Sequence, residues 1–371
     1  MGQAEKPKAS SNSKAVAHFE IHYTQLLNAQ GEAVATLPAF AQDLDELTRL
    51  YRFMLLTRIF DSKAIALQRT GKMGTYGSVL GQEAVSVGLG AAMRPEDVLL
   101  PTYREYGALF QRGVAMDEIL RYWGGDERGM CFANQPHDFP MSVPIATQMP
   151  HAAGVAYAMK LRREPRVAVG VLGDGATSKG DFYEAINLAG AWQLPMVVLI
   201  TNNQWAISVP REAQSHAQTL AQKAIAAGIP GEQVDGNDII AMRHCLTEAI
   251  EKARKGDGPS LIEALTYRMG DHTTADDAGR YRSAEEVEEQ KQLDPVERLR
   301  KFLSANHGWS DSQDEALLAE CSAEVEAAAQ RYLDTPPAPP ESMFDYLYET
   351  LPDSLQAQRQ ALINRRGNDH E

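Results

Sequence analysis

Two short polar segments carry residue types that could hold a metal ion beside a phosphate group. Asp174 stands between two glycines in Gly173-Asp174-Gly175, and Asn203 lies 29 residues further along in Asn202-Asn203. A carboxylate and an amide oxygen are hard ligands of the kind that Mg²⁺ prefers, commonly together with phosphate oxygens. The glycines would also let the backbone approach a phosphate closely. Either segment alone is more often an ordinary turn. Whether the two segments form a metal site therefore depends on their position in the fold.

The flanking sequence predicts the elements that must position these two segments. Val167 to Leu172 and Met196 to Thr201 are apolar runs of strand length, and residues 179–193 between them predict a helix. A strand–helix–strand succession with short connections indicates two parallel strands. Because ligands bind beyond the carboxyl ends of such strands, we expect Asp174 and Asn203 to meet at one edge of the sheet.

Further segments predict an α/β fold in which helices cover both faces of a parallel sheet. One helix should begin at Asp43, whose side chain can cap it while Glu46 reaches back, and should end at Gly71. Other predicted elements are helices at 81–93, 105–123 and 238–255 and a strand at 260–266. Residues 124–150 contain four prolines and predict a long loop, a length that is more often functional than idle.

Composition excludes several classes of protein. The 371 residues include 36 basic and 50 acidic side chains, for a net charge of −14, and 44% of them are hydrophobic. This is a globular composition, and its acidic balance argues against nucleic-acid binding. No apolar run approaches the ~20 residues that span a bilayer, and three scattered cysteines indicate neither a disulfide framework nor a zinc site. We expect a cytoplasmic, bacterial protein in preference to one of the mitochondrial matrix.

The spacing of Gly173-Asp174-Gly175 and Asn202-Asn203 resembles the thiamine diphosphate motif. The wider stretch GDGATSKGDFYEAINLAGAWQLPMVVLITNNQWAISVP is similar to the alpha subunit of the decarboxylating component of 2-oxo acid dehydrogenase complexes, and the similarity extends from about Leu44 to Leu351. The resemblance implies a thiamine diphosphate-binding fold. It also implies that Mg²⁺ is held by the side chains of Asp174 and Asn203 and by the backbone carbonyl of Trp205.

The same resemblance implies which residues bind the cofactor. Tyr103 and Arg104, in PTYRE, would hold the diphosphate, to which an arginine can donate a fork of charge-assisted hydrogen bonds. Ile145 would be the apolar wedge under the bent cofactor, and Val143 would supply backbone contacts. The complete predicted cofactor set is Tyr103, Arg104, Val143, Ile145, Gly173, Asp174, Gly175, Ala176, Asn203, Trp205 and His272.

His272, in the loop RMGDHTTADDAGRYR, is the predicted catalytic residue. It would contact the diphosphate and assist proton or acyl transfer, because the charge of a histidine changes near neutral pH. Without the resemblance, a solvated loop histidine would be the better interpretation. Thr273 stands where kinase-regulated relatives carry a serine, which argues against that regulation here.

The resemblance implies oxidative decarboxylation of a 2-oxo acid, with transfer of the acyl group to the lipoyl group of an acyltransferase component. The enzyme would be a heterotetramer of two alpha and two beta chains, and the beta chain would supply the glutamate that activates the aminopyrimidine. We expect pyruvate as the substrate, because GTYGSVLGQEA resembles pyruvate-type chains. The alternative is 3-methyl-2-oxobutanoate, because residues 145–148 and 234–238 are also close to branched-chain types.

Three regions are predicted along the chain. Residues 1–42 would form a flexible N-terminal arm, residues 43–305 the diphosphate-binding dehydrogenase domain, and residues 306–371 a helical C-terminal extension that contains a stiff linker, PPAPP.

Two other classes of function fit the sequence less well. A nicotinamide-dependent oxidoreductase needs a G-x-G-x-x-G turn after its first strand, and the nearest match, Gly88 to Met93, lies in a predicted helix and ends in methionine. A scaffold that has lost its site is disfavoured by the presence of Asp174, Asn203, Arg104 and His272.

Overall fold

The computed structural model describes residues 14–345 and 347–368, and side chains as far as residue 365. The predictions for residues 1–13 and 369–371 lie outside the described residues. The strands are β1 (His22–Thr24), β2 (Val98–Leu100), β3 (Ala168–Gly173), β4 (Met196–Asn202), β5 (Trp205–Ala206), β6 (Val209–Pro210), β7 (Gly231–Asp235) and β8 (Ser260–Leu265). The α-helices are α1 (Leu44–Arg69), α2 (Glu83–Ala92), α3 (Tyr106–Gln111), α4 (Met116–Trp123), α5 (Gln148–Arg162), α6 (Gly180–Ala191), α7 (Arg211–Gln214), α8 (Lys223–Ala226), α9 (Ile239–Arg254), α10 (Ala284–Lys291), α11 (Pro295–His307), α12 (Asp311–Leu333) and α13 (Asp353–Asn368).

A six-stranded parallel sheet organises the chain, in the order β1-β7-β8-β4-β3-β2. Strands β3 and β4 are neighbours in the centre, with Gly173 opposite Thr201, so the segments that carry Asp174 and Asn203 leave the sheet side by side. The predicted parallel strand–helix–strand unit is therefore confirmed. Strands β5 and β6 form a separate antiparallel pair directly after Asn203.

Helices cover both faces of the sheet, as predicted. On one face α1, α2 and α9 contribute to a large apolar core, and on the other face α5 and α6 pack against β3 and β4. The strand residues between these layers are apolar and almost wholly buried, because both of their faces meet helices. Helix α2 contains the glycines Gly88 and Gly90, so this segment is not a strand-to-helix turn of the dinucleotide-binding kind.

The first long helix begins as predicted but its cap differs in detail. Asp43 Oδ1 accepts hydrogen bonds from the backbone N–H groups of Asp45 (3.0 Å) and Glu46 (3.3 Å), which satisfies two of the free donors at the helix start. The carboxylate of Glu46 is paired instead with Arg49 (2.6 Å) and Arg243 (2.5 Å). Two guanidiniums attract this carboxylate more strongly than a single backbone donor would.

The predicted helix over 105–123 is two helices in the structure. Helices α3 and α4 are separated at Gly113, whose φ of +87° lies in the left-handed region and ends α3. The apolar positions of both helices are buried, which explains why the sequence reads as one amphipathic pattern.

Part of the segment predicted as a flexible arm is attached to the sheet. Residues 14–20 are exposed and have no regular secondary structure, but the chain from residue 22 onward contacts the folded body. Residues 22–24 form the edge strand β1, and Leu27 is fully buried. Asp238 Oδ2 accepts hydrogen bonds from the backbone N–H groups of Leu26 (2.7 Å) and Leu27 (2.6 Å). A three-residue strand whose side chains are mostly exposed has no apolar pattern to reveal it.

The C-terminal boundary also differs from the prediction. Residue 305 falls inside α11, and α12 packs along α1 with Cys321, Val325 and Ala328 buried in the main core. The extension up to about residue 333 is thus part of the same body as the sheet. No helix among the described residues has both the length and the apolar character needed to cross a membrane.

Candidate active site

A cavity of about 260 Å³ opens at the carboxyl ends of β3 and β4. It brings together every residue of the predicted cofactor set except Val143, which is 46% exposed and does not line it. The lining residues that sequence reasoning named are Tyr103, Arg104, Ile145, Gly173, Asp174, Gly175, Ala176, Asn203, Trp205 and His272. Their meeting follows from the sheet topology, since β3 and β4 are parallel neighbours.

Asp174 places a buried carboxylate at the end of β3. Only 3% of the residue is exposed, and burial raises the pKa of its carboxyl group above the usual range. Oδ2 accepts a hydrogen bond from Gln214 Nε2 at 2.7 Å, but no ion pair joins this carboxylate to a basic side chain in the described part of the chain. The positive charge of Arg268 lowers the pKa of this carboxyl group but does not offset the effect of burial, so a bound cation would stabilise the charged form further.

The two glycines beside Asp174 serve different purposes. A Cβ atom on Gly173 would meet nothing within 4 Å, so this position leaves open space where the cavity is lined by backbone. A Cβ on Gly175 would come within 2.5 Å of the Cβ of Ala206. Gly175 thus allows two loops of the site to touch. The approach of a phosphate to the backbone at both glycines stays a prediction.

Asn203 lies directly after β4 and has fixed partners. The residue is 7% exposed, its Nδ2 donates to Gln82 Oε1 at 2.9 Å, and its Oδ1 accepts from the backbone N–H of Trp205 at 3.3 Å. The Trp205 carbonyl oxygen accepts from Arg268 Nη1 at 3.3 Å, and the indole N–H donates to Glu286 Oε1 at 3.1 Å. The ring of Trp205 is therefore held by packing and by Glu286, while its carbonyl lies on the site loop.

Arg104 and Arg268 bring two guanidinium groups close to His272, and of these two Arg104 lines the cavity. Arg104 is 7% exposed and donates to the carbonyl oxygens of Ser78 and His272, the latter at 2.6 Å. Arg268 is 1% exposed and donates to Ile207 O (2.8 Å) and to the hydroxyl of Tyr281 (2.7 Å). Neither forms an ion pair with a described acidic residue, and burial lowers the pKa of Arg268.

His272 lies between these two cations. Its Nδ1 is 3.2 Å from Arg104 Nη2 and 3.3 Å from Arg268 Nη1. Burial and the two guanidiniums lower the pKa of His272 to about 4, although Asp276 opposes this shift. The ring is thus neutral at physiological pH, and since Nδ1 faces donors, the proton resides on Nε2. This corrects the expectation that the histidine changes charge near neutral pH in the free protein.

Three non-glycine residues with left-handed backbone lie on the loops of this site. Ala146 (φ 65°), Gln204 (φ 72°) and Ile207 (φ 55°) flank or line the cavity. A branched residue such as Ile207 is strained at positive φ. Strain of this kind persists where the surrounding structure demands it and is concentrated at functional sites.

Taken together, the charges fit a metal–diphosphate pair. The guanidinium of Arg104, which lines the cavity, suits phosphate oxygens, and the buried carboxylate and amide oxygen suit a hard cation. No group of three or more His, Cys, Asp or Glu side chains suited to a metal occurs among the described residues. Oxygens outside these side chains would have to complete the shell, as is usual for Mg²⁺ bound with phosphate.

Sequence reasoning missed two residues of this arrangement. Gln82 lines the cavity and accepts a hydrogen bond from Asn203. In the sequence it is one polar residue of GTYGSVLGQEA, and nothing there indicates this role. Arg268 opens the loop that contains His272, and its burial could not be read from a polar segment. An arginine or glutamine in a loop looks like a surface residue unless the tertiary contacts are known.

Comparisons with known proteins show which family the chain belongs to. The family model described as "Dehydrogenase E1 component" matches residues 51–341. The 3-methyl-2-oxobutanoate dehydrogenase subunit alpha of Mycobacterium tuberculosis is 41% identical over 345 residues, which are 92% of this chain and 94% of the relative. Pyruvate dehydrogenase E1 component subunits alpha are similar as well: that of Acholeplasma laidlawii is 44% identical over 76% of this chain and 82% of its own, and that of Staphylococcus aureus is 39% identical over 85% of each. The chain belongs to the dehydrogenase E1 component family.

Proposed function

We propose that the chain is the alpha subunit of a pyruvate dehydrogenase of the acetyl-transferring kind. The enzyme would decarboxylate pyruvate oxidatively, with thiamine diphosphate and Mg²⁺, and pass the acyl group to a lipoyl group. Membership of a thiamine diphosphate-dependent family supports the reaction class. The observation that carries the proposal is the cavity whose lining combines the Arg104 guanidinium with the buried Asp174 carboxylate and the Asn203 amide, where neither charged group forms an ion pair with a described residue.

Six residues of the cavity lining have roles that their chemistry and position support. When bound, thiamine diphosphate supplies a carbon nucleophile for the 2-oxo carbon and accepts the electrons released with carbon dioxide. Arg104 and Tyr103 would hold the diphosphate, and Asp174, Asn203 and the Trp205 carbonyl would hold Mg²⁺. Ile145, which is 48% exposed at the cavity, offers an apolar surface to the middle of the cofactor.

His272 would act as a neutral hydrogen-bond donor. With Nδ1 facing the guanidiniums, its Nε2–H can donate to an anionic oxygen in the cavity. A bound diphosphate would offset the two positive charges and raise the pKa of His272 toward the range in which it can transfer protons. The histidine would then assist proton or acyl transfer only after the cofactor is in place.

A partner subunit would complete the site. Ile145 and Ile207 line the cavity yet are 48% and 56% exposed, and Val143 beside them is 46% exposed. This apolar rim supports a beta chain that covers the mouth, in a tetramer of two alpha and two beta chains. That chain would supply the glutamate for the aminopyrimidine, and a lipoyl-bearing acyltransferase component would accept the acyl group. We place the assembly in the bacterial cytoplasm as part of this proposal.

A second substrate has a specific observation in its favour. The relative whose match covers 92% of this chain is named for 3-methyl-2-oxobutanoate, whereas the matches to the pyruvate enzymes cover 76% and 85%. The branched-chain acid is therefore the alternative substrate of the same site.

The test is a decarboxylation assay of the alpha–beta complex with thiamine diphosphate and Mg²⁺. We expect a higher kcat/KM with pyruvate than with 3-methyl-2-oxobutanoate. A higher value with the branched acid would overturn the choice of substrate and leave the reaction class standing. If the complex turned over neither of these acids and no other 2-oxo acid, the proposed function would be wrong.

A further inference from the structure

Gln82 is a buried polar residue at a position where packing alone would not require a polar side chain. It is 2% exposed and lies at the start of α2, where it lines the cavity. Its Oε1 accepts from Asn203 Nδ2 at 2.9 Å, while its Nε2 is buried without a hydrogen-bond partner in the protein. A buried amide with an unused donor is unfavourable, so an apolar residue would serve better if packing were the only requirement.

The backbone of Trp205 fixes which way the Asn203 amide points. The N–H of Trp205 can only donate, and it lies 3.3 Å from the atom assigned as Asn203 Oδ1. If the amide were reversed, two donors would face each other there. Nδ2 must therefore point to the other side, where Gln82 Oε1 accepts its hydrogen. The contacts of Gln82 and Trp205 thus define a single orientation of the amide.

Gln82 itself sits on a rigid turn. Gly81 adopts φ +90°, and a Cβ atom there would lie 2.5 Å from the carbonyl oxygen of Tyr267. The carbonyl of Gly81 accepts from Thr266 Oγ1 at 2.8 Å, and the Gln82 N–H donates to Val79 O at 2.9 Å. These contacts hold the glutamine in place before any ligand arrives, which is the requirement for a residue that orients another.

We propose that Gln82 is a positioning residue of the cation site, which acts by locking the side-chain amide of Asn203 so that oxygen, and not nitrogen, is presented to Mg²⁺. The inference rests on the proposed function, since it assumes that Asn203 is a metal ligand. An amide nitrogen carries no lone pair for a cation, so each Asn203 side chain in the reversed orientation is lost as a ligand. Partners that orient a ligand from behind typically change metal affinity 10–100-fold when they are removed.

The experiment compares variants in the alpha–beta complex. Mg²⁺ is titrated calorimetrically at saturating thiamine diphosphate, and thermal unfolding of the metal-free complex is followed alongside. Gln82→Met removes the acceptor at similar volume, and we expect Mg²⁺ to bind about 10–100-fold more weakly. Gln82→Glu keeps an oxygen acceptor for Nδ2, and we expect Mg²⁺ affinity at or above that of the wild type. The metal-free complexes should unfold at similar temperatures.

Gln111→Met is the matched control. Gln111 is a partly buried glutamine of α3 whose Nε2 donates to Val87 O at 2.7 Å, and it does not line the cavity. We expect its Mg²⁺ affinity to equal that of the wild type. Unchanged affinity in Gln82→Met, or equal losses in Gln82→Met and Gln82→Glu, would overturn the inference. A wild-type complex that binds no Mg²⁺ would instead contradict the proposed function, so the two failures are distinguishable.

Discussion

At the scale of single residues, the site combines buried charges of both signs that form no ion pair. Asp174 and Arg104 are buried on the cavity lining and are held by hydrogen bonds to Gln214 and to backbone carbonyl oxygens. Other buried charges of this chain are paired, such as Arg112 with Asp138 at 2.5 Å, or are enclosed by hydrogen-bond donors away from the cavity, such as Asp61. Since burial of an unpaired charge is costly, opposite charges on a cavity wall favour a ligand that carries both a cation and an anion.

Substitution of Asp174 by asparagine should separate function from stability. The amide oxygen can still accept the hydrogen bond of Gln214, whereas the buried negative charge is lost. We expect Mg²⁺ affinity to fall by at least about 100-fold, while the free chain becomes more stable by up to about 1 kcal/mol. Calorimetric Mg²⁺ titration and urea unfolding measure the two effects. Retained Mg²⁺ affinity would remove Asp174 from the metal site.

The lowered pKa of His272 should appear in the pH dependence of stability. The folded-state pKa of about 4 lies below the ordinary value of 6.5, so the unfolded chain takes up this proton first as pH falls. The stability tied to the neutral ring is complete above pH 6.5 and is lost between pH 6.5 and about 4. His272→Gln has no such proton to take up.

We therefore compare the free energy of unfolding of the variant with that of the wild type at pH 7.5 and pH 4.5. On going to pH 4.5, this difference should shift in favour of the variant by about 1–2 kcal/mol, after allowance for solvent screening. Urea unfolding of the isolated chain at the two pH values measures this difference. An identical offset at both values would show that the two guanidiniums do not depress the pKa of His272 in solution.

At the scale of elements, the turn before α2 is held by one carboxylate of α1. Asp61 Oδ1 accepts from the Tyr76 hydroxyl (2.9 Å) and the Val79 N–H (2.8 Å), and Oδ2 accepts from the Ser78 hydroxyl (2.7 Å). Ser78 in turn offers its carbonyl oxygen to Arg104. Through this turn, a residue outside the cavity sets the positions of Gln82 and Arg104.

Asp61→Ala should destabilise the chain by about 2–4 kcal/mol, because it leaves three buried donors without their acceptor. It should also weaken thiamine diphosphate binding by the alpha–beta complex. Burial raises the pKa of Asp61 to about 6, so its favourable protonated state is present at low pH and stability decreases as pH rises through that value.

Asp61→Asn is the control, since it retains an acceptor and carries no charge. The free energy of unfolding of the wild type should decrease between about pH 4 and 6 because of Asp61, and we expect this decrease to be absent in the variant. Urea unfolding across this range measures both variants. Wild-type stability in Asp61→Ala would contradict the assigned role of the turn.

The elements that could be predicted are those with a strong local pattern. Strands β3 and β4 are continuous apolar runs, and α1 and α9 have capping residues and helical periodicity. Strand β2 has only three residues, and β7 reads GEQVD, which has no apolar pattern. These strands exist because neighbouring strands offer them backbone partners, which is tertiary information that a local pattern lacks.

The same division holds within the site. Asp174 and Asn203 could be predicted because they end apolar strands whose pairing follows from topology. Gln82 and Arg268 come from segments that only the folded chain brings to this region. Asn203, the hydrogen-bond partner of Gln82, is 121 residues away from it in the sequence, and Ile207, a partner of Arg268, is 61 residues away. The pKa of His272 likewise depends on two arginines. Arg104 is 168 residues away in the sequence, and Arg268 is only four residues away but its burial is not visible in the sequence.

At the scale of the whole molecule, the N-terminal segment belongs to the folded body. Leu27→Ala should destabilise the chain by about 2–4 kcal/mol, because it leaves a cavity where the side chain is fully buried. Val16→Ala, at a residue of the same segment that is 92% exposed, should change nothing measurable. Urea unfolding of both variants is the measurement. Equal stability of the two variants would instead support the prediction that this segment is a flexible arm.

In the proposed assembly, this chain builds one side of the active site and a beta chain covers its mouth. The parallel sheet positions a carboxylate and an amide at the cavity, the loops before α2 and α3 position Gln82 and Arg104, and the loop after β8 positions His272. These contributions come from widely separated parts of the sequence.

The measurement that tests this account most directly is calorimetric titration of thiamine diphosphate into the metal-free alpha–beta complex, with and without Mg²⁺. The account predicts saturable binding of one cofactor per alpha chain that requires Mg²⁺ and is lost in Asp174→Asn. Absence of binding under both conditions, or equal binding with and without Mg²⁺, would contradict it.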